Sequence, residues 1–353
     1  MTFNVILAGC GYIAQAEHIP GWIQQDGARI AAIVDRRADL ATAVAERLGV
    51  AAYDTLTGAS ASVPADAVHI CTPPDSHEPI VNDAARLGLH ILTEKPLALS
   101  SAAARRCVAA AASAGVTIMT AAPRMYDSDF ALLGSKLREG EFGPIHALES
   151  LWGIALPPSF AALSAAPRTV QAAYEGSQIS RLGARLLEES IHHLGLISTW
   201  LDSELTVSSV HNSGPLWHVT LTSEQGTVVT HTNASPLVHR EEIRVYGEIA
   251  FGRSVPWSPH FPWQFGATEI IAAKGGDRRL PAIARRNQYW AQIDDFVRTA
   301  QGTQPARRDP AAAVRDIELI ESIVAAANPG GTLRGVSQQI SAAADSRRSS
   351  RRG

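Results

Sequence analysis

The chain has 353 residues, 46% of them hydrophobic and 18% charged, which suits a globular protein long enough for two cores. A formal net charge of −3 gives no global field to draw nucleic acid or an anionic membrane, and no apolar run reaches the roughly 18 residues of a membrane span. Three cysteines without metal-ligand spacing, and an opening segment without a basic stretch or cleavage site, point to a reduced, cytoplasmic protein without a signal peptide.

The first part of the chain alternates apolar runs with helix-like segments. The runs are 4–9, 28–35, 67–74, 90–96 and 116–123, and helical patterns fill 13–25, 37–49, 76–88 and 100–115. Gly49, Gly88 and Gly115 fall where these helices should stop, because glycine accepts the left-handed conformation that closes a helix. Strands that are apolar along their whole length, separated by helices, predict a parallel sheet covered on both faces.

Beyond residue 123 the pattern changes. Helices are expected over 128–143 and 184–201, with a Pro-, Ala- and Ser-rich stretch between them. Strand-like runs at 205–212, 216–224, 226–234 and 241–252, joined by short turns, predict an α+β region with a largely antiparallel open sheet. Two helices near 287–301 and 310–327 come next, and the Arg/Ser-rich tail 336–353 reads as disordered. The expected division is 1–122, 123–335 and the tail.

The segment Gly9-Cys10-Gly11-Tyr12-Ile13-Ala14 follows the first strand and opens the first helix. It fits the fingerprint of a Rossmann dinucleotide site. Gly9 permits the tight turn, Gly11 lets a pyrophosphate approach the backbone, and Ala14 keeps the helix close to the sheet. Asp35 ends the second strand 21 residues after Ala14 and is placed to accept the adenosine ribose hydroxyls, which favours NAD. Arg36, next in the chain, leaves NADP as the alternative.

Two further segments end on polar residues at strand carboxyl ends, where open parallel sheets bind their ligands. They are Thr72-Pro73-Pro74 with His77, and Glu94-Lys95-Pro96. Taken in order with the glycine motif, these segments resemble the Gfo/Idh/MocA family, named for glucose–fructose oxidoreductase and inositol dehydrogenase. The similarity runs through 136–149 and 290–305, so it covers roughly 3–335. It implies that Lys95 lies beside the nicotinamide and meets the reacting oxygen, that Glu94 positions the cofactor, and that Pro73 and Pro74 line its path. Burial of Lys95 should lower its pKa and ease proton exchange.

The family's second motif is similar to 182–195. Here Glu188 stands for the motif's first acid, Ser190 for a glycine, His192 for its histidine and Gly195 for its last acid. His192 is thereby implied as the acid/base, with Glu188 on the same helical face at i−4. Arg124, Tyr126, Trp152, Tyr174 and His193 are weaker substrate-contact candidates. No residue pattern marks a metal site. The expected activity is hydride transfer between NAD(P) and a carbinol or carbonyl carbon of a sugar, nucleotide sugar or cyclitol, in a homodimer or homotetramer. The alternatives are redox-neutral elimination or glycoside cleavage on retained NAD, and a non-catalytic nucleotide sensor.

Overall fold

The computed structural model describes residues 2–153, 181–213, 216–235, 240–256, 266–273 and 276–327. The tail 336–353 and Tyr174 lie outside these residues.

The first sheet is parallel. Its strands are β1 (Phe3–Ala8), β2 (Ala28–Val34), β3 (Ala51–Tyr53), β4 (Ala67–Ile70), β5 (His90–Thr93) and β6 (Ile118–Thr120), in the order β3-β2-β1-β4-β5-β6. The order reverses between β1 and β4, which opens a crevice outside their carboxyl ends. Five strands coincide with the apolar runs because each is buried on both faces. β3 was not expected: it has only three residues, all at least partly exposed, so it carries no apolar signal. The helices are α1 (Ile19–Ile23, continuing a π-helical Ala14–His18), α2 (Ala38–Leu48), α3 (Leu56–Ser62), α4 (His77–Arg86) and α5 (Ser101–Ala114). Gly49 (φ 68°) and Gly115 (φ 67°) close α2 and α5 in the left-handed region.

The second sheet has eight strands. They are β7 (Ile145–Gly153), β8 (Leu205–Asn212), β9 (Trp217–Ser223), β10 (Val228–Asn233), β11 (Arg240–Gly247), β12 (Ala250–Val255), β13 (Ala267–Ala272) and β14 (Arg278–Arg279). Their order is β14-β13-β12-β11-β7-β10-β9-β8, with β7–β10 parallel and the other pairs antiparallel. One face is covered. In β9, Trp217, Val219, Leu221 and Ser223 are buried while His218, Thr220 and Thr222 stay partly exposed.

The covering helices are α6 (Ser128–Arg138), α7 (Arg181–Arg185), α8 (Ile191–Leu201), α9 (Gln288–Ala300) and α10 (Pro310–Ala327). α9 returns to the first sheet, where Phe296 meets Phe3 and Trp22 edge-on at 6.3 and 6.4 Å. The expected single helix over 184–201 is corrected: a π-helical turn, Leu186–Ser190, separates α7 from α8. Such a turn holds one extra residue, which rotates the helix before it relative to the helix after it. No described helix is long and apolar enough to cross a membrane.

Candidate active site

The dinucleotide fingerprint folds as its residues require. Gly9 has φ +89°, and a Cβ there would lie 2.7 Å from the Cys71 carbonyl carbon. A Cβ on Gly11 would meet nothing within 4 Å, so the backbone there faces open space, as an approaching pyrophosphate needs. The Asp35 carboxylate accepts from Cys10 N at 3.0 Å and Arg37 N at 2.9 Å, which fixes it at the end of β2. Ala14 is buried, Tyr12 and Ile13 are partly exposed, and Arg36 is exposed. These groups fit a dinucleotide. Burial, with Asp35 adding to it, pushes the Cys10 thiol up to about 12, so it stays protonated.

At the end of β5 the chain turns through a cis Lys95–Pro96 peptide. Glu94 is buried, with Oε1 2.7 Å from His18 Nε2. Burial pushes its carboxyl up, but His18 and Lys95 together hold it below the usual range. Behind it, Trp22 Nε1 donates to His69 Nδ1 at 2.9 Å. An indole N–H can only donate, so the neutral His69 ring carries its proton on Nε2. His18, His69 and Cys71 each bring a ligand atom within 4.8 Å of the others. That tautomer, however, leaves His69 no lone pair to offer a cation.

His77 was expected to touch the cofactor, and its position corrects this. It is fully buried, with Nδ1 2.8 Å from Pro96 O and Nε2 2.8 Å from Thr72 O. Carbonyls face both nitrogens and the neutral ring donates to one of them, so His77 sits wedged between the two turns that carry Thr72 and Lys95. Pro73 is partly exposed and Pro74 buried.

Lys95 Nζ donates to the Glu188 carbonyl at 2.9 Å and forms an ion pair with the Glu188 carboxylate. Burial lowers the Lys95 pKa, but Glu188 and Glu94 outweigh it, and the net direction is upward. The expected lowering is thus reversed, because two carboxylates face a group that desolvation alone would have neutralised. The π-helical turn aims Glu188 at Lys95, while His192 stacks on Trp152 with ring centroids 5.1 Å apart and planes 11° apart. Burial, then Lys95, Arg124 and His193, hold His192 well below its usual 6.5. Its imidazole is therefore neutral near pH 7, the form that accepts a proton.

Behind this surface lies a closed polar cluster. Arg124 donates twice to Glu241, at 2.6 and 2.5 Å, and sits 5.4 Å over the Trp152 ring. His193 Nε2 lies 3.4 Å from the same carboxylate, and its Nδ1 is 2.8 Å from Ser150 Oγ, which also meets His231. Burial pushes Glu241 up, but Arg124 and His193 bring it down to about 2. Arg124, Trp152 and His193 are each under a tenth exposed and stand behind the residues that line the cavity of Lys95 and His192. Tyr126 is also buried, its hydroxyl donating to Asp295 at 2.5 Å. Sequence reasoning missed His18 and Glu241. An acid on the inward face of an alternating strand, as Glu241 is in β11, was the available signal for the second.

One cavity beyond the carboxyl ends of β5 and β6 is lined by Lys95, His192, Gly195, Met125, Arg308 and Asp316. It brings together a lysine and a histidine 97 residues apart in sequence.

A six-stranded doubly wound sheet with a glycine-rich phosphate turn, joined to a mixed sheet whose helix α8 brings a histidine to the crevice, defines a dinucleotide-binding fold. Residues 3–122 match the oxidoreductase family with an NAD-binding Rossmann fold, the nucleotide-binding part of the Gfo/Idh/MocA oxidoreductases. D-apiose dehydrogenase of Paraburkholderia graminis is 27% identical over 226 residues, 64% of this chain. The match spans 58% of that relative's own length. Aldose-aldose oxidoreductase from Caulobacter crescentus shares the fold at TM-score 0.79 and 21% identity, over 94% of this chain and 99% of that one. A 3-ketoreductase from Actinomadura kijaniata, solved with TDP-benzene and NADP, does so at 0.74 and 18%, over 92% and 98%.

Proposed function

We propose that the chain is an NAD(P)-dependent dehydrogenase or reductase acting on a CH–OH group of a sugar, nucleotide sugar or cyclitol. The observation that carries the reading is one cavity lined by both Lys95 and His192. Gly9, Gly11, Tyr12, Ile13, Ala14, Asp35 and Arg36 would hold the adenosine and pyrophosphate, and Thr72, Pro73, Pro74, Glu94 and Lys95 the nicotinamide end. A nicotinamide bound there supplies the hydride acceptor or donor. The protein's part is to place the substrate oxygen and move its proton. Lys95, charged and anchored by Glu188, donates a hydrogen bond to that oxygen, and neutral His192, held flat against Trp152, takes or returns the proton. General acid–base help of this kind contributes about 10²–10⁴-fold.

Asp35, with its carboxylate fixed at the ribose end, favours NAD over NADP. The boundary near residue 122, a cytoplasmic location and a homo-oligomer built on the open face of the second sheet complete the proposal. The test has two arms. Calorimetry with NAD⁺ and NADP⁺ measures cofactor choice, and tighter NADP⁺ binding overturns the preference. A screen of sugars, nucleotide sugars and cyclitols monitors reduced cofactor. Turnover that Lys95→Ala abolishes without loss of cofactor binding is expected, and full turnover in that variant overturns the assignment.

A further inference from the structure

Gly195 sits on α8 one turn beyond His192, at the place where the family's second motif carries its last acid. A Cβ on Gly195 would lie 2.8 and 2.9 Å from the two carboxylate oxygens of Asp316. The Asp316 carboxylate, arriving from the neighbouring helix α10, therefore occupies the volume of a side chain at position 195. It is 7% exposed and lines the cavity of Lys95 and His192. Arg308 grips it with two hydrogen bonds of 2.6 Å, and the buried Arg308 Nε–H has no partner among the described residues.

We propose that the Arg308–Asp316 pair supplies this cavity with the carboxylate that position 195 lacks, and that it binds a neutral polyhydroxylated substrate by its hydroxyls. The inference rests on the proposed dehydrogenase activity and names residues and a substrate charge that the activity leaves open. Arg308 also donates to Ala312 O at 3.4 Å, at the start of α10, but an ion pair that merely pinned this helix would need no glycine on α8 and would not line this cavity. A carboxylate has about four acceptor positions, and Arg308 uses two of them. The other two accept hydroxyl protons, which suits a vicinal diol. Charge selects against acids. Lys95 is paired with Glu188, Arg308 is paired with Asp316, and His192 is neutral, so among the described residues no uncompensated cation lines the cavity.

The test uses the NAD⁺-loaded full chain with pentoses, hexoses and inositols beside the corresponding aldonic and uronic acids. Asp316→Asn should raise KM for the preferred neutral substrate about ten-fold or more, the worth of one hydrogen bond to a charged group. The cofactor Kd should stay unchanged, and Arg308→Lys should have a smaller effect of the same kind. Moving the acid, in Gly195→Asp/Asp316→Ala, should recover most of the loss, with the relocated carboxylate seen on Arg308 in a crystal structure. A KM within two-fold of wild type in Asp316→Asn, or a wild-type preference for the acid form of a sugar, overturns the proposal. If no panel member is turned over, the dehydrogenase activity fails, and a myo-inositol soak decides this inference separately. Hydroxyls on Asp316 support it, and a bound inositol that avoids Asp316 or an empty cavity sinks it.

Discussion

The two sheets place charge in opposite ways. In the parallel sheet, helices cover both faces, so the strands leave little room for charge, and charged groups gather just past their carboxyl ends: Asp35 after β2, Glu94 and Lys95 after β5. The second sheet has one covered face and tolerates charge within its strands. Glu241 points inward to Arg124, and Glu242, beside it on the opposite face, is gripped by Arg240, Arg244 and Arg253. The difference separates two kinds of ion pair. Lys95 and Glu188 keep side-chain exposures of 16% and 20%, so either can turn to another partner and still reach water. Arg124 and Glu241 are 9% and 1% exposed, and neither can leave the other without a buried charge remaining.

Breaking the buried pair should have the largest effect on stability. Glu241→Gln strands Arg124 and should cost about 3–5 kcal/mol in denaturant unfolding. The same change at Glu188 should cost only about 1–2 kcal/mol, because Lys95 keeps the Glu188 carbonyl and some contact with water. Equal losses would erase the distinction between the two pairs.

The glycine turn gives a second contrast. Gly9→Ala combines a left-handed φ with a backbone clash and should destabilise the fold by about 1–3 kcal/mol. Gly11→Ala should leave the melting temperature nearly unchanged while weakening cofactor binding, since its Cβ points into open space. Differential scanning calorimetry with and without cofactor separates these outcomes.

Acid should act mainly on buried histidines, a smaller effect. Burial lowers the pKa of His69, His77, His192, His193 and His231, the last to about 3. Their folded values lie below the usual 6.5, so below that pH the unfolded chain takes up protons that the folded one refuses. That part of the stability is present above 6.5 and is lost as pH falls. Glu17 and Asp127, raised by burial to about 7, work in the other direction: their contribution is present at low pH and lost as pH rises through 7. His90 is lowered and Asp129 raised in the same ways, so six histidines against three carboxyls predict a net fall in melting temperature between about pH 7 and pH 5. A rise over that interval would contradict the burial assigned to these rings.

Legibility in the sequence divides along the same line. Strands buried on both faces leave continuous apolar runs, and glycines with obligatory left-handed dihedrals mark the helix ends, so the first sheet was readable apart from the short, half-exposed β3. The residues that end β5 were readable because charge directly after an apolar run is unusual. The partners of those residues were not. Local spacing put Glu188 and His192 on one face, yet the π-helical turn sends the acid to Lys95 and leaves the histidine to an indole. His77 and His193 looked available because a histidine carries no mark of burial in sequence. The lysine's direction of shift was misjudged for a related reason: desolvation can be inferred from its position, but the opposing carboxylate comes from a segment 93 residues away.

The turn Leu186–Ser190 also ties chemistry to chain length. Deleting one residue within it would restore ordinary helical winding and swing everything before the cut by about 100° relative to α8. His192 would stay on its tryptophan while Lys95 lost its anchoring carboxylate. Homologous chains differing by a single residue there would then share Lys95 and His192 and yet hold the lysine differently, so gap placement, more than residue identity, would tell their lysine environments apart.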